Sequence, residues 1–400
     1  MRIRIQTMLI LSLAISGGLS GAVQAQDVVI TVKQQDEKPA EKQPFNGVRP
    51  AVDMAILLDT SNSMDGLIGQ AKSQLWTIVQ QFAKAKKAGK TPLLRVSVFE
   101  YGNTRLPASE GYIRQVVGLT DDLDKVSESL FALKTSGGDE YCGQVIGEAL
   151  KRLDWNKEPN AYKTIFIAGN EPFTQGSVKY QETCKRAIEA GVIVNTIHCG
   201  DYSAGVSGKW QHGAQLTEGE YLNINQDRAV VAIKTPQDKI LIELNQQLNR
   251  TYLWYGKQDV RRRYHSNQLE QDSNSYKALG AAGLSSRAAV KGGRLYGNVG
   301  RDLVDSYKQD KSVLEKVEEK SLPDALQKVP AAERVGKVKE MAAKRAEIQK
   351  EIAKVNRQRS DYIANERMKL TTSAEEATLG DAVLSAIDMQ LKKSGFEFEK

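Results

Sequence analysis

Residues 51–58, Ala-Val-Asp-Met-Ala-Ile-Leu-Leu, are apolar at nearly every position, and Asp59-Thr60-Ser61-Asn62-Ser63 follows at once. A strand with that pattern needs cover on both faces, the condition of a strand inside a parallel sheet flanked by helices. Ile68, Ala71, Leu75, Ile78, Val79 and Phe82 then recur at helical spacing, with Gly89 as the expected C-cap. A buried strand feeding an amphipathic helix is the start of an α/β unit.

The alternation continues to Gly256. Strands are predicted at 93–99, 164–168 and 192–197, with a shorter one at 221–224. Helices are predicted where Leu123, Val126, Leu130 and Leu133 align, over 145–153, over 179–190 before Gly191, and over 238–249. Asp121 and Asp122 suit the start of the first of these. The fold class that follows is α/β: a doubly wound, mostly parallel, Rossmann-like sheet, with an α-helical C-terminal extension. In such folds ligands gather at the carboxyl ends of the strands, near the topological switch point.

Asp59, Ser61 and Ser63 fall at such a strand end. Two hydroxyls two residues apart can both reach one hard cation, which takes oxygen ligands and keeps some of its waters. Asp59 supplies charge and can hold a bound water. Asp-x-Ser-x-Ser by itself is a weak pattern; its position between a buried strand and a long amphipathic helix makes it specific. In that setting it resembles the metal-ion-dependent adhesion site of the von Willebrand factor A family, over roughly residues 50–250.

The resemblance implies a bound Mg²⁺ or Mn²⁺ and a partner protein that completes the coordination with an acidic side chain. It also implies two further loops. One is Gly-rich and carries a Thr or Asp before a helix. Here that loop is Thr135-Ser136-Gly137-Gly138-Asp139-Glu140, with Asp139 the preferred match and Thr135 the fallback. The bland alternative for Asp139 is a helix N-cap. The last loop of the family carries an Asp after a buried strand. Here 164–168 leads into Gly169-Asn170-Glu171-Pro172-Phe173, so Asn170, or else Glu171, stands in that place. An amide there would make the site less anionic. The run 169–173, and the strand ending Asn195-Thr196-Ile197-His198-Cys199-Gly200, also resemble a bacterial branch of secreted A-domain proteins of unclear role.

The chain's start reads as a secretory signal. Arg2 and Arg4 precede a short apolar run, and Val23-Gln24-Ala25 offers a cleavage site, so residues 1–25 are expected to be removed on export to the periplasm or beyond. The run is short for a membrane span and glycines break it, so no stable anchor is expected after cleavage. Residues 26–49 are polar and Pro-containing, as in a linker, and 50–256 hold the α/β unit. Residues 257–400 are the extension. Arg261 to Ser275 reads as an exposed connection, 278–289 and 303–314 as helices, and 331–368 as a long helix. The last carries a thin stripe of Val335, Val338, Met341, Ile348, Ile352 and Val355, suited to a coiled-coil arm that self-associates or to a helix packed back on the α/β unit. A final amphipathic segment spans 379–391.

Composition adds limits. With 40% hydrophobic and 26% charged residues, a sizeable core is affordable in ordinary globular terms. The net charge of +7 is spread along the chain without a nucleic-acid-binding motif, so nucleic acid is not an expected partner. Cys142, Cys184 and Cys199 permit one disulfide in an oxidising compartment, and their spacing is not that of a zinc site. His198 and Cys199 are adjacent in an extended segment and point to opposite faces, which argues against a nucleophilic pair. No nucleophile elbow, phosphate loop or His-Glu-x-x-His motif is present. The expectation is an exported, metal-dependent protein-binding module rather than an enzyme. The alternatives are a scaffold acting through the charged helices and a metal-assisted hydrolase.

Overall fold

A computed structural model describes residues 49–369 and 378–398. The signal-peptide reading of 1–25 and all but the last residue of the 26–49 linker lie outside the described residues. β1 (Ala51–Asp59) is buried at every position except Ile56, which is partly buried. Ala55 and Leu57 face one side of the sheet, Met54 and Leu58 the other. This is why the sequence is apolar without alternating.

α1 (Asp65–Lys84) follows, then β2 (Ala85–Lys86), β3 (Leu93–Tyr101) and β4 (Ile113–Thr120). Next come α2 (Leu123–Ala132), α3 (Cys142–Arg152), β5 (Tyr162–Gly169), α4 (Tyr180–Glu189) and β6 (Ile193–Cys199). The short α5 (Tyr202–Ser207) and α6 (Trp210–Gln215) lead into β7 (Tyr221–Ile224). The strands order as β4-β3-β1-β5-β6-β7, all parallel except β4. The chain leaves β1 toward β3 on one side and returns to β5 on the other. The loops after β1 and β5 therefore meet at the switch point.

β4 is an element the sequence pattern does not show. It is a half-exposed antiparallel edge strand whose pairing with β3 slips twice, between Val96 and Phe99. Those irregularities destroy the period-2 signal that would reveal it.

One sheet face is covered by α3, α4 and α6, through Val145, Ile146, Ala149, Cys184, Ala187 and Trp210. The other is covered by α1, α2 and a helix from the far end of the chain. The C-terminal region runs through α7 (Gln237–Asn249), α8 (Gln258–Lys291), α9 (Leu303–Gln309), α10 (Val313–Lys316), α11 (Asp324–Gln327), α12 (Ala331–Lys369) and α13 (Leu379–Lys393), ending in β8 (Glu397–Phe398). α13 lays Leu379, Val383, Ala386 and Ile387 into the same core as Met54, Phe166 and Ile197. Behind α1 lies a further layer of α7, α8 and α12.

Several sequence expectations shift. α1 stops at Lys84, before Gly89, because Ala85 and Lys86 pair antiparallel with β8. Gly89, at φ +73°, serves the turn beyond it. The stretch from Arg261 to Ser275 is not an exposed connection: it is the first half of α8, which kinks at Leu279 and Gly280. Its buried face is polar, with Gln268, Gln271, Asp272 and Ser275, so hydrophobic periodicity could not reveal it. Trp76 Nε1 donates to Ser275 Oγ (2.7 Å) and Ser127 Oγ to Gln271 Oε1 (2.8 Å). The single helix expected at 303–314 is two, separated by extended Asp310.

α12 packs back on the molecule against α7, α8 and α9. Its apolar stripe looked thin because two of its inward positions are arginines. Val338, Arg345, Ile348, Ile352, Val355 and Arg359 are all buried, at spacings of three, four or seven residues. Arg345 bonds Asp302 (2.7 Å), Asp305 (3.0 Å) and the Thr251 carbonyl (2.6 Å); Arg359 bonds Asp238 (2.8 Å) and the Ala282 carbonyl (3.2 Å). The three cysteines are separate buried thiols.

Candidate metal centre

The site is built on the end of β1. Asp59 is fully buried, and its Oδ1 accepts the Ser61 N–H at 2.7 Å, which folds the loop back toward the strand end. Ser61 Oγ and Ser63 Oγ lie 3.3 Å apart, with Ser61 buried and Ser63 exposed. The three residues of the motif are thus brought together. The floor needs glycine twice. A Cβ on Gly102 (φ +75°) would lie 2.9 Å from Asp59 Oδ1, and one on Gly169 would lie 3.2 Å from Asp59 Oδ2 and 2.5 Å from the Tyr101 hydroxyl.

The second loop is tied to the first: the Ser136 N–H donates to the Thr60 carbonyl (2.9 Å), and Asn103 Nδ2 to the Lys134 carbonyl (2.9 Å). Thr135 donates to Asp65 Oδ1 at 2.5 Å, at the first turn of α1. Asp139 is exposed and accepts from the Tyr141 hydroxyl at 3.1 Å; it does not cap α3. The side chain that meets Asp59 is Glu140. It is buried, its N–H is pinned by Gln175 Oε1 (2.7 Å), and its carboxyl lies against Asp59 and Ser61. Sequence reasoning passed over it. The loop offers several oxygen-bearing side chains in six residues, and only the backbone path decides which one turns inward.

The third loop is held from behind. With Asn223 Nδ2 against His198 Nδ1, the His198 Nε2–H donates to the Asn170 carbonyl (3.2 Å). Trp210 Nε1 donates to the Glu171 carbonyl (2.8 Å). His198 and Trp210 are therefore positioning residues for this loop. Cys199 points into the core on the opposite sheet face. Asn170 and Glu171 are both partly buried.

Electrostatically the site is short of positive charge. Burial pushes the Asp59 carboxyl upward to about 6, restrained by the neighbouring Glu140 carboxyl and by Ser61. Burial and the Asp59 charge together push Glu140 up further, and Glu171 adds to both. Two buried carboxyls of like charge in contact disfavour ionising together, which is the cause of both upward shifts.

Among the described residues no group of three or more His, Cys, Asp and Glu is arranged to hold a metal. A cation here must rely on hydroxyl and amide oxygens as well. Asp59 Oδ2, Glu140 Oε2 and Asn170 Oδ1 are buried and have no hydrogen-bond donor among the described residues. Orphaned oxygens beside two serine hydroxyls form an all-oxygen donor set, which fits a hard divalent ion.

The family model for the von Willebrand factor type A domain matches residues 53–214, spanning all three loops. This region is a von Willebrand factor type A domain. The chain is similar to the SpRpn10 VWA domain at 17% identity (44% of this chain, 89% of that chain, TM-score 0.35). It is also similar to BatB from Bacteroides thetaiotaomicron at 16% identity (44% and 91%, TM-score 0.34). A third similar structure is proximal thread matrix protein 1 from the mussel byssus with a zinc-occupied MIDAS motif, at 15% identity (45% and 43%, TM-score 0.34). No curated protein matches the chain. The A domain of this chain is elaborated: α13, from beyond residue 370, completes one face of its sheet.

Proposed function

We propose that this protein is an exported, non-enzymatic binding module whose A domain holds Mg²⁺ or Mn²⁺ and uses it to capture an acidic side chain of a partner protein. The observation that carries the reading is the set of orphaned buried oxygens on Asp59, Glu140 and Asn170, beside the Ser61 and Ser63 hydroxyls, at the carboxyl edge of the central strand. Asp59, Ser61 and Ser63 would hold the ion, with Asn170 supplying a neutral oxygen from the third loop. Asp139 and Thr135 are the second-loop candidates from sequence, and Glu171 lies within charge range. The ion, when bound, supplies an electrophilic open position for a carboxylate. The chain's own residues orient the loops, and the buried floor excludes water from one side. Among the described residues no helix is long and apolar enough to cross a membrane.

The test is thermal unfolding of the purified chain in EDTA, Mg²⁺ and Mn²⁺. A ligand that binds only the native state stabilises it by about 2.7 kcal/mol at a hundredfold excess over its Kd. A rise in Tm with metal that vanishes in Asp59→Ala is the expected result. No shift at millimolar metal would favour the scaffold reading, in which the Asp59–Glu140 pair closes the site on itself. Turnover of an ester or phosphodiester, lost in Asp59→Ala, would replace the binding reading with hydrolysis.

A further inference from the structure

Resting on that metal reading, we infer that Glu140 is the second-loop ligand of the ion and supplies the negative charge that Asn170 withholds. Three observations converge. The Glu140 carboxyl is buried and in contact with both Asp59 and Ser61, whereas Asp139 on the same loop is exposed and turned toward Tyr141. A Cβ added at Gly102 would lie 2.7 Å from Glu140 Cγ and 2.9 Å from Asp59 Oδ1, so the two acids share one glycine-floored space. The Glu140 N–H donates to Gln175 Oε1 (2.7 Å), which fixes the backbone at the point from which the side chain enters the site.

The charge arithmetic gives the residue its role. A divalent ion held by Asp59, two serines and an asparagine would face a single protein carboxylate. Glu140 makes that two, so the protein alone neutralises the ion. Affinity for hard cations is tuned by the number of charged ligands, so this substitution keeps the site loaded despite the neutral third loop. The partner's acid then adds a third carboxylate rather than a second.

The experiment is calorimetric titration of the purified full chain with Mn²⁺, for wild type, Glu140→Gln, Asp139→Asn and the double variant Glu140→Gln, Asn170→Asp. Glu140→Gln is expected to weaken Mn²⁺ binding by about tenfold or more. Asp139→Asn should bind like wild type, and the double variant should recover affinity because charge returns on the neighbouring loop. Unchanged Mn²⁺ affinity in Glu140→Gln overturns the assignment while leaving the metal site standing. Should Glu140→Gln fail to fold, Glu140→Asp is read instead: it keeps the charge, shortens the reach and should still weaken binding, and wild-type affinity in it overturns the assignment. A wild-type chain that takes up no Mn²⁺, with Asp59→Ala equally inert, overturns the metal reading and this assignment together.

Discussion

Asp272 shows how single residues carry the interior of this molecule. Arg287 Nε bonds its Oδ1 at 2.5 Å, Lys291 Nζ approaches both its oxygens at 3.0 and 3.1 Å, and Asn245 and Asn249 donate to it at 2.8 Å. Arg287 also reaches Asp124 (2.6 Å) and lies 4.6 Å over the Trp76 ring, so α1, α2 and α8 are joined through one guanidinium. Burial alone would raise the Asp272 carboxyl; Lys291 and Arg287 outweigh it and hold it below the usual carboxylate range. Burial in turn pulls Lys291 down to about 8, against the raising effect of Asp272. A carboxyl depressed in the folded state contributes stability that is complete above its unfolded pKa, near 4, and lost as pH falls through its folded value. Asp272→Asn should therefore flatten the acid limb of the stability curve below about pH 4. At pH 7 it should cost about 3–5 kcal/mol in denaturant unfolding, because two buried cations lose their counter-charge. An acid limb like that of wild type would show that the network does not titrate as a unit.

At the scale of elements, α13 decides whether the sheet is covered. Its capping box at Thr378 and Asp381 starts the helix firmly, and Gln70 Oε1 accepts the Leu379 N–H at 2.7 Å. Tyr162 donates to Gln390 Oε1 (2.6 Å), and Gln390 Nε2 donates to Asn195 Oδ1 (2.6 Å), fixing the far end to β5 and β6. These polar contacts set register; the apolar face gives the stability. A chain ending at residue 369 would expose Met54, Phe166 and Ile197 together with the inner face of α1. Leu379, Val383, Ile387 and Leu391 are all buried, and such side chains are worth about 1.5–3 kcal/mol each, together comparable with the whole stability of a domain. The truncated chain is expected to bind a hydrophobic dye and to lose its cooperative melt, measured by fluorescence and calorimetry. A sharp melt near the full-length Tm would show that α1 and α2 suffice.

For the whole molecule, all described residues fall in one compact unit. The A-domain sheet sits between α3, α4 and α6 on one side and α1, α2 and α13 on the other, with α7, α8 and α12 stacked behind α1. A fragment of residues 50–256 contains every loop of the candidate metal site yet lacks α8, α12 and α13. It would leave Trp76 without Ser275 and Arg287, and Asp124 without Arg287 and Tyr296. We expect that fragment to be insoluble or molten, and the full chain to unfold in a single transition. Two separate transitions in the full chain, with the first matching the fragment, would instead divide it near residue 256.

The strand-helix alternation, the central place of β1 and the Asp-x-Ser-x-Ser loop at its end were all legible in the sequence. They are local: an apolar run, a helical period and a short motif each depend on neighbours along the chain. β4 was hidden by its irregular pairing, and the first half of α8 by a polar buried face. The heptad-like seam of α12 was hidden because Arg345 and Arg359 fill inward positions that an apolar pattern cannot register. Among the site residues, Asp59, Ser61 and Ser63 follow from sequence because one short loop carries them. Glu140 in place of Asp139 does not, because a Gly-Gly hinge lets neighbouring oxygens compete and packing against Gly102 and Gln175 settles the choice. Nor could the sequence announce that α13 would close a sheet begun more than three hundred residues earlier. Periodicity shows that a helix has an apolar face; only the tertiary structure decides which surface covers it, since burial is a property of shape shared between distant segments.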